Sequence, residues 1–501
     1  MSYFCASLAE ARTEMSRLAR QLHSAHALAG QQPEHSGENA GRRLIVLELV
    51  SMAVSSGSAF TCIPNLKYKR SKRRLAVFTT EVTDSADVST LGQFRVLPIE
   101  IFHILLEYLS VKDLSVMSIV SKAINRQLIS YISSPAGNRR LLCQDFHCAG
   151  FVEGGRESPI LEHYRVLGLL FKRCTLLLPT RERLKFIYKT ISEIPCFQLG
   201  GCPTPDRCLG LLSYGAFLKI LTAGWDELEC HRVYIFLCDV TNLPRKIQTL
   251  VSSKPGTAYK LELRMRLFCR HVFLDNWNLR RDSAFWLTRL LKPWPMVNQA
   301  RLLYIFYGPV NSVDGHIAWL QMTEGLAGEN CLKGLADAIK LLYDPESKEW
   351  TADDVISLVD ELSVVPNQWL LENNARLLIL SGNSICFTFM ASKAVNGRTA
   401  DLGRMVVFLA LVCEKDLYCM DWAVKMMQRI CKVFGTQHER KAFLQNVESS
   451  FVRVIVDLLQ SVISGRRNGE DSSFINLFHL VSAQANFHKE ILYLTLNTPS
   501  V

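Results

Sequence analysis

Apolar residues spaced three or four positions apart recur through most of this 501-residue chain. Within residues 439–463 the spacing sets six apolar side chains on one face of a helix: Phe443, Val447, Phe451, Val454, Leu458 and Val462. Such a face needs a partner surface to bury it. Similar patterns follow one another from 141 to 495, and convincing alternating strand patterns are absent. The sequence therefore predicts an all-α fold whose larger part is a packed helical array, with a solenoid as one possible form. No fixed repeat period is evident, so we predict no named repeat family.

Helix boundaries are signalled by caps and prolines. Thr436 with Glu439 fits a capping box, and Thr351 with Asp353 and Asp354 places a cap and negative charge at another helix start. Proline lacks the N–H that a helix interior needs, so prolines mark the breaks between helices. We expect such breaks at Pro179, Pro195, Pro244, Pro255, Pro293, Pro295, Pro309, Pro345 and Pro366.

Composition excludes several classes of protein. Hydrophobic residues make up 49% and charged residues 21% of the chain, which rules out full-length disorder. No apolar run reaches the roughly 18 residues that a membrane span needs, so no membrane association is expected. Glu10 and Glu14 stand where a signal peptide would be apolar, which argues against secretion. The 16 cysteines are scattered through helical patterns and are predicted to be reduced, buried thiols of a nuclear or cytoplasmic protein.

The chain divides unevenly. Residues 1–60 are predicted to form a flexible extension, residues 61–93 a basic and polar linker, and residues 94–140 a small helical module. The helical array takes residues 141–495, and a short tail takes residues 496–501.

A dense basic cluster lies in the linker. Six of the eight residues from 67 to 74 are basic: Lys67, Lys69, Arg70, Lys72, Arg73 and Arg74. This cluster is compatible with a nuclear-import signal or a patch for an acidic partner, and equally with a soluble linker. The chain is accordingly placed in the nucleus, the cytoplasm or both.

The small module carries the most information. A first helix is predicted from Pro98 to about Leu109, a second after Ser110 and a third from about Ser121. In the first helix we expect one apolar face formed by Ile101, Phe102, Leu105 and Leu109. Ile104 and Leu106 widen this face. Three short helices leave more apolar positions than their own core needs, which indicates a partner surface.

Here the sequence resembles the F-box family. Order and spacing agree over a stretch of about 30 positions, and the matching residues are Leu97, Pro98, Glu100, Ile101, Leu105, Tyr108, Leu109, Asp113, Leu114, Val120, Ser121 and Lys122. The resemblance implies that the module docks on the adaptor Skp1, and through it on a cullin and a RING protein. It also implies that the helical array binds a protein substrate, of unknown identity, for ubiquitination. The residues expected to fold and dock the module are Leu97, Pro98, Ile101, Leu105, Leu109, Leu114 and Val120.

The resemblance implies a receptor that needs no catalytic residue of its own, and we expect no cofactor or metal. Cys143, His147 and Cys148 lie close enough in sequence to suggest metal ligands, and Cys196, Cys202 and Cys208 are also closely spaced. Four ligands at a known spacing are not present, so no zinc site is predicted. The cysteines also lack a signature of catalytic thiols.

Three functions remain open on the sequence. The leading hypothesis is the substrate-recognition subunit of a Skp1–cullin–F-box ubiquitin ligase. The second is a scaffold that binds Skp1 without a degradative role. The third is a nuclear helical module that contacts chromatin or nucleic acid through residues 67–74. Nucleic acid is not expected as a partner, because the tryptophans do not interleave with a basic stripe.

Overall fold

The structure, a computed structural model, describes residues 98–147, 158–277, 279–344, 349–463 and 470–497. Within these ranges the regular elements are helices, apart from one isolated antiparallel bridge between Val310 and Ile317. The predicted all-α class is confirmed. None of the described helices is long and apolar enough to cross a bilayer. The predicted extension, the linker with its basic cluster, and residues 498–501 of the predicted tail lie outside the described residues.

The chain forms two compact units. Of the described residues, the first unit takes 98–110 and 119–127. It contains helix α1 (Ile99–Tyr108) and the first half of α3 (Lys122–Ser133). Its buried apolar side chains are Phe102, Leu106, Ala123 and Ile124.

The second unit takes residues 111–118 and everything from residue 128 onward. It therefore includes α2 (Val111–Met117), the second half of α3 and α4 (Pro135–Leu141). The range predicted for the F-box, 94–140, is thus shared between the two units, because α2 groups with the helical array.

The array continues through seventeen further helices in the described residues. The first eight are α5 (Pro159–Cys174), α6 (Thr180–Ile191), α7 (Gly210–Thr222), α8 (Glu227–Thr241), α9 (Leu243–Ser252), α10 (Tyr259–Phe268), α11 (Arg280–Leu291) and α12 (Met296–Tyr307). The remaining nine are α13 (Gln321–Glu324), α14 (Glu329–Leu342), α15 (Ala352–Leu362), α16 (Leu371–Ser381), α17 (Asn383–Val395), α18 (Thr399–Lys415), α19 (Met420–Cys431), α20 (Gln437–Ile463) and α21 (Glu470–Asn497). Two 3₁₀ turns, Pro195–Phe197 and Pro205–Arg207, lie between α6 and α7, and a π-helical turn, Cys269–Leu274, extends α10.

Helices in the second half of the array pack on the next helix but one. One row contains α12, α14, α16, α18 and α20, and each member contacts the following one. A second row contains α15, α17, α19 and α21, which contact one another in the same way. Two interleaved rows of helices are the arrangement of an α-solenoid, in which each unit buries its apolar face against its neighbours. The predicted solenoid form is therefore confirmed.

Caps and prolines position the helix ends as the sequence predicted. Thr351 Oγ1 accepts a hydrogen bond from Asp354 N (3.0 Å), and Asp354 Oδ2 accepts one from Thr351 N (3.1 Å), which completes the capping box of α15. Pro179 and Pro295 are the N-cap residues of α6 and α12. These local interactions satisfy or remove backbone N–H groups that would otherwise have no partner at the helix start.

The core of the array lies around α18, which contacts helices of both rows. The predicted apolar face of α20 is buried at Phe443, Val447 and Phe451, whereas Val454 and Leu458 are half-buried. These predicted residues do face the core, and their burial decreases toward the C-terminal end of α20.

A buried ion network joins α16 to the end of α18. Arg376 donates to both carboxylate oxygens of Asp416 (2.7 and 3.2 Å) and to Glu372 (3.3 Å). Lys415 Nζ donates to both oxygens of Glu372 (3.0 and 2.9 Å). Arg376 also donates to the carbonyl of Ala327 (2.9 Å), which fixes the segment before α14. Because the charges of Arg376 and Glu372 are buried, each depends on its partners for stabilisation.

Candidate docking surface

Helix α1 has a buried side and an exposed apolar side. Phe102 and Leu106, four residues apart, are 4% and 0% exposed. Ile101, Ile104 and Tyr108, at positions i, i+3 and i+7, are 44%, 47% and 75% exposed. Residues at this spacing share one helix face. The helix therefore presents an apolar stripe to solvent in addition to the side that fills its own core.

The residues that follow in the same unit continue this pattern. Ile119 and Val120 are exposed, whereas Ala123 and Ile124 in α3 are buried. We call five of the exposed apolar side chains in this unit the docking stripe, which are Ile101, Ile104, Tyr108, Ile119 and Val120. Exposed apolar side chains in such a group are typical of a surface that a partner covers.

The residues expected to fold and dock the F-box fall into three groups. Pro98, Ile101 and Val120 are exposed, and Leu105 and Leu109 are half-buried. Leu114 is fully buried in the second unit, where it fills the core. Leu97 lies outside the described residues.

The structure divides the predicted apolar face of α1 into a buried side and an exposed side. The sequence placed Ile101, Phe102, Leu105 and Leu109 on one apolar face, and the structure separates this face into buried Phe102, exposed Ile101 and half-buried Leu105 and Leu109. Ile104 and Tyr108 were not among the expected docking residues, although both belong to the docking stripe. Their i, i+3, i+7 spacing with Ile101 was the signal that could have identified them.

Helix α2 is held against the array. It packs on α5, and Arg173 Nη1 donates a hydrogen bond to Ser115 Oγ across 3.0 Å. Burial raises the pKa of Cys174, at the end of α5, to about 12, although a hydrogen bond with Ser118 opposes this rise. The thiol of Cys174 is therefore protonated at neutral pH and packs as an apolar group.

Other buried thiols of the array behave in the same way. Burial raises the pKa of Cys386 and of Cys413 to about 12. A cysteine that carries ubiquitin must react as the thiolate, which a raised pKa disfavours. These two thiols are therefore packing groups.

A second cluster of functional side chains lies at the start of the array. His147, Cys196, Cys202 and Cys208 place one nitrogen and three sulfur atoms within 4.8 Å of one another. In the sequence His147 stands beside Cys143 and Cys148, far from Cys196, Cys202 and Cys208, and no metal site was predicted. The regular Cys-x₅-Cys-x₅-Cys spacing, combined with a distant histidine, is the sequence signal of this cluster.

Comparison with known proteins gives the family. A family model of the FBXO47 ARM repeats matches residues 240–479. The expectation that no named repeat family applies was therefore wrong, because the helical packing of these repeats does not require a visible sequence period. No solved structure matches the chain.

Two curated relatives cover nearly the whole chain. F-box only protein 47 of Homo sapiens is 65% identical over 449 residues, which are 89% of this chain and 99% of the relative. F-box only protein 47 of Mus musculus is 63% identical over 450 residues, which are 90% of this chain and 100% of the relative. The chain therefore belongs to the F-box only protein 47 family.

Proposed function

We propose that this chain is the substrate-recognition subunit of a Skp1–cullin–F-box ubiquitin ligase. It binds Skp1 through the docking stripe and a protein target through the helical array. The observation that carries the proposal is the exposure of Ile101, Ile104 and Tyr108 on a helix whose other side is buried.

The docking stripe has the chemistry of a protein-binding surface. Interface cores are depleted in charged residues and enriched in aromatic ones, and a few such side chains supply most of the binding energy. Tyr108 offers an exposed aromatic ring beside two isoleucines. The stripe thus suits an apolar groove on an adaptor.

The mechanism that follows is one of proximity. A target held on the array brings its lysines near the conjugating enzyme that the cullin and RING protein recruit. The reaction between a target lysine and the conjugating enzyme then becomes intramolecular, and its rate depends on the effective concentration of the lysines. In this mechanism the receptor supplies binding energy and geometry, and the bond-forming chemistry belongs to the other subunits.

The first experiment measures binding of the purified full-length chain to purified Skp1 by calorimetry. The test variant is I101E/I104E, since glutamate keeps a high helix propensity while it places charge on the stripe. The control is Leu444→Glu on α20, where the side chain is 45% exposed, close to the 44% of Ile101. We expect the test variant to weaken binding about 30-fold or more, as the loss of an interface hot spot does.

Unchanged Skp1 affinity in I101E/I104E would contradict the docking assignment. Circular dichroism must show that both variants retain the helix content of the parent chain, so that lost binding is not lost folding. Equal weakening by Leu444→Glu would show a general effect of added charge, and this also would contradict the assignment.

A second experiment separates the receptor from a scaffold. Proteins captured from cells by the I101E/I104E variant are compared with those captured by the parent chain. A degradation target becomes ubiquitinated and short-lived only with the parent chain. A partner of a scaffold keeps the same lifetime with both, which would contradict the receptor role.

The basic cluster at residues 67–74 is proposed to direct nuclear import. Neutralising its six basic residues, which are Lys67, Lys69, Arg70, Lys72, Arg73 and Arg74, is expected to move the chain from the nucleus to the cytoplasm. Fluorescence imaging of the tagged full chain checks this. Strongly salt-dependent DNA or RNA binding that the same change abolishes would instead favour the nucleic-acid module.

A further inference from the structure

We infer that His147, Cys196, Cys202 and Cys208 bind one structural zinc ion at the start of the helical array. The inference is independent of the proposed ligase role. Four side chains of the types that bind zinc converge from two separate segments of the chain. His147 and Cys196 are 49 residues apart in sequence, and Cys196 Sγ lies 3.4 Å from His147 Nε2.

The distances fit a tetrahedral site. His147 Nε2 lies 3.4 Å from Cys196 Sγ and 3.7 Å from Cys202 Sγ, and all four ligand atoms lie within 4.8 Å of one another. Zinc bonds of about 2.3 Å to sulfur and about 2.0–2.1 Å to nitrogen place tetrahedral ligand atoms roughly 3.6–3.8 Å apart. The side chains therefore surround a space of the size that a zinc ion fills.

The donor set selects the metal. Three thiolates and one neutral imidazole form a Cys₃His set, which is a common ligand set of structural zinc. Calcium and magnesium require oxygen ligands, so this site excludes them. Four protein ligands leave no open position for water or substrate, which indicates a structural rather than a catalytic ion.

Neighbouring groups orient two of the ligands. Thr204 Oγ1 lies 3.4 Å from His147 Nδ1, so the ring can donate there and keep Nε2 unprotonated toward the three sulfurs. The backbone N–H of Gly210 donates to Cys208 Sγ at 3.3 Å. An N–H donor at a sulfur stabilises the negative charge that a metal-bound thiolate carries.

The backbone is shaped to bring the cysteines together. A Cβ atom at Gly210 would lie 2.5 Å from Cys196 Cβ and 3.2 Å from Cys208 Sγ. Any larger residue at this position would therefore separate two of the ligands. Gly200, with φ +105°, makes the turn between Cys196 and Cys202 in a conformation that side-chain-bearing residues rarely adopt.

The site holds the segment of His147 against the array. Leu209 N donates to the Phe146 carbonyl (3.2 Å), so the chain beside His147 already pairs with the chain beside Cys208. Beneath the ligands, the ring of Phe146 packs on those of Tyr164 and Phe197, with centroids 5.6 Å apart in both pairs. Zinc would further fix this loop, which ring packing and hydrogen bonds already hold against the array.

The competing arrangement is a disulfide between two of the three cysteines, since their sulfur atoms also lie close together. The two arrangements differ in metal content and in the oxidation state of the thiols. A test must therefore measure both on the same preparation.

The experiment uses the full chain, expressed with added zinc and dialysed under reducing conditions. Elemental analysis by inductively coupled plasma mass spectrometry is expected to find about one zinc per chain. Cys202→Ser and Cys208→Ser are expected to lose it. The matched control Cys230→Ser, a half-buried cysteine of α8 outside the cluster, is expected to keep it.

A readout on the parent chain covers the case in which the serine variants do not fold. Cobalt(II) exchanged into the site is expected to give the intense visible bands of a tetrahedral thiolate complex, together with sulfur-to-cobalt charge transfer in the near ultraviolet. Parent chain without zinc, zinc that the cysteine variants retain, or a Cys–Cys bridge found by peptide mapping would each overturn the inference.

Discussion

Arg173 donates a 3.0 Å hydrogen bond to the hydroxyl of Ser115, which joins α5, the first helix of the predicted array, to α2, the second helix of the F-box segment. Ser115 is fully buried, and α2 packs along α5. The helical array thus supplies both a packing surface and a charged donor to an element that the sequence assigns to the docking module. This hydrogen bond and the packing on α5 anchor α2 within the second unit.

This relationship predicts coupling between the two residues. R173M is expected to lower the free energy of unfolding by roughly 1–3 kcal/mol, since it leaves the buried hydroxyl without its charged partner. The double variant R173M with Ser115→Ala is expected to lose less unfolding free energy than the sum of the losses in the two single variants. Urea unfolding followed by circular dichroism measures the cycle, and strict additivity would show that the hydrogen bond contributes nothing.

The control for this cycle lies on the same helix. Arg165 forms an ion pair with Glu162 in which the carboxylate side chain is 62% exposed. R165M is expected to change stability by about 0.5 kcal/mol or less, as is usual for exposed pairs.

The buried network of α16 gives a second prediction. R376M is expected to destabilise the chain by roughly 3–5 kcal/mol, because it leaves the buried carboxylate of Glu372 with one cation fewer and the Ala327 carbonyl without its donor. R404M is the control, since the Arg404–Asp401 pair on α18 is half exposed. A loss no larger in R376M than in R404M would show that the network does not stabilise the array.

The sequence predicted what local chemistry determines. The Thr351–Asp354 box is formed, and at Thr436 the backbone N–H and hydroxyl both pair with Glu439. The helix predicted over residues 439–463 is α20 (Gln437–Ile463), which begins two residues before the apolar pattern. These features depend on residues within a few positions of one another, so the sequence pattern contains the required information.

What the sequence could not predict depends on contacts between distant segments. Ile101 and Phe102 are both apolar, and only the packing of the unit decides that Phe102 is buried and Ile101 exposed. His147 Nε2 lies 3.4 Å from Cys196 Sγ although the two residues are 49 positions apart in sequence, and the chain beside His147 is held by a backbone hydrogen bond from Leu209 N to the Phe146 carbonyl. The position of a single histidine in the sequence does not indicate which distant cysteines it contacts.

The two sides of α1 lead to a third prediction, which rests on the proposed docking role. Tyr108→Ala removes an exposed ring and is expected to weaken Skp1 binding by roughly tenfold or more with little change in thermal stability. Phe102→Ala removes a buried ring and is expected to destabilise its unit by about 3–5 kcal/mol. Calorimetric binding and thermal unfolding are compared in both variants. The assignment of sides would be wrong if Tyr108→Ala were the destabilising change.

The capping box of α15 yields the last prediction. Hydrogen bonding from the Thr351 backbone and hydroxyl and from Lys292 lowers the pKa of Asp354 despite its partial burial. A carboxylate whose pKa is lower in the folded chain stabilises the fold above its unfolded pKa of about 3.9, and this contribution is lost as the pH falls through the folded pKa. T351A is expected to cost about 1 kcal/mol at neutral pH, as the loss of a threonine cap does.

The charge is tested separately with Asp354→Asn, and the control is Asp353→Asn, one residue earlier and exposed. Urea unfolding is expected to show Asp354→Asn less stable than the parent chain near neutral pH, with the difference shrinking below about pH 4. Asp353→Asn is expected to show a much smaller difference. A gap for Asp354→Asn that stays constant with pH would mean that its side chain acts through shape alone, and that the charge of the box does not stabilise the helix.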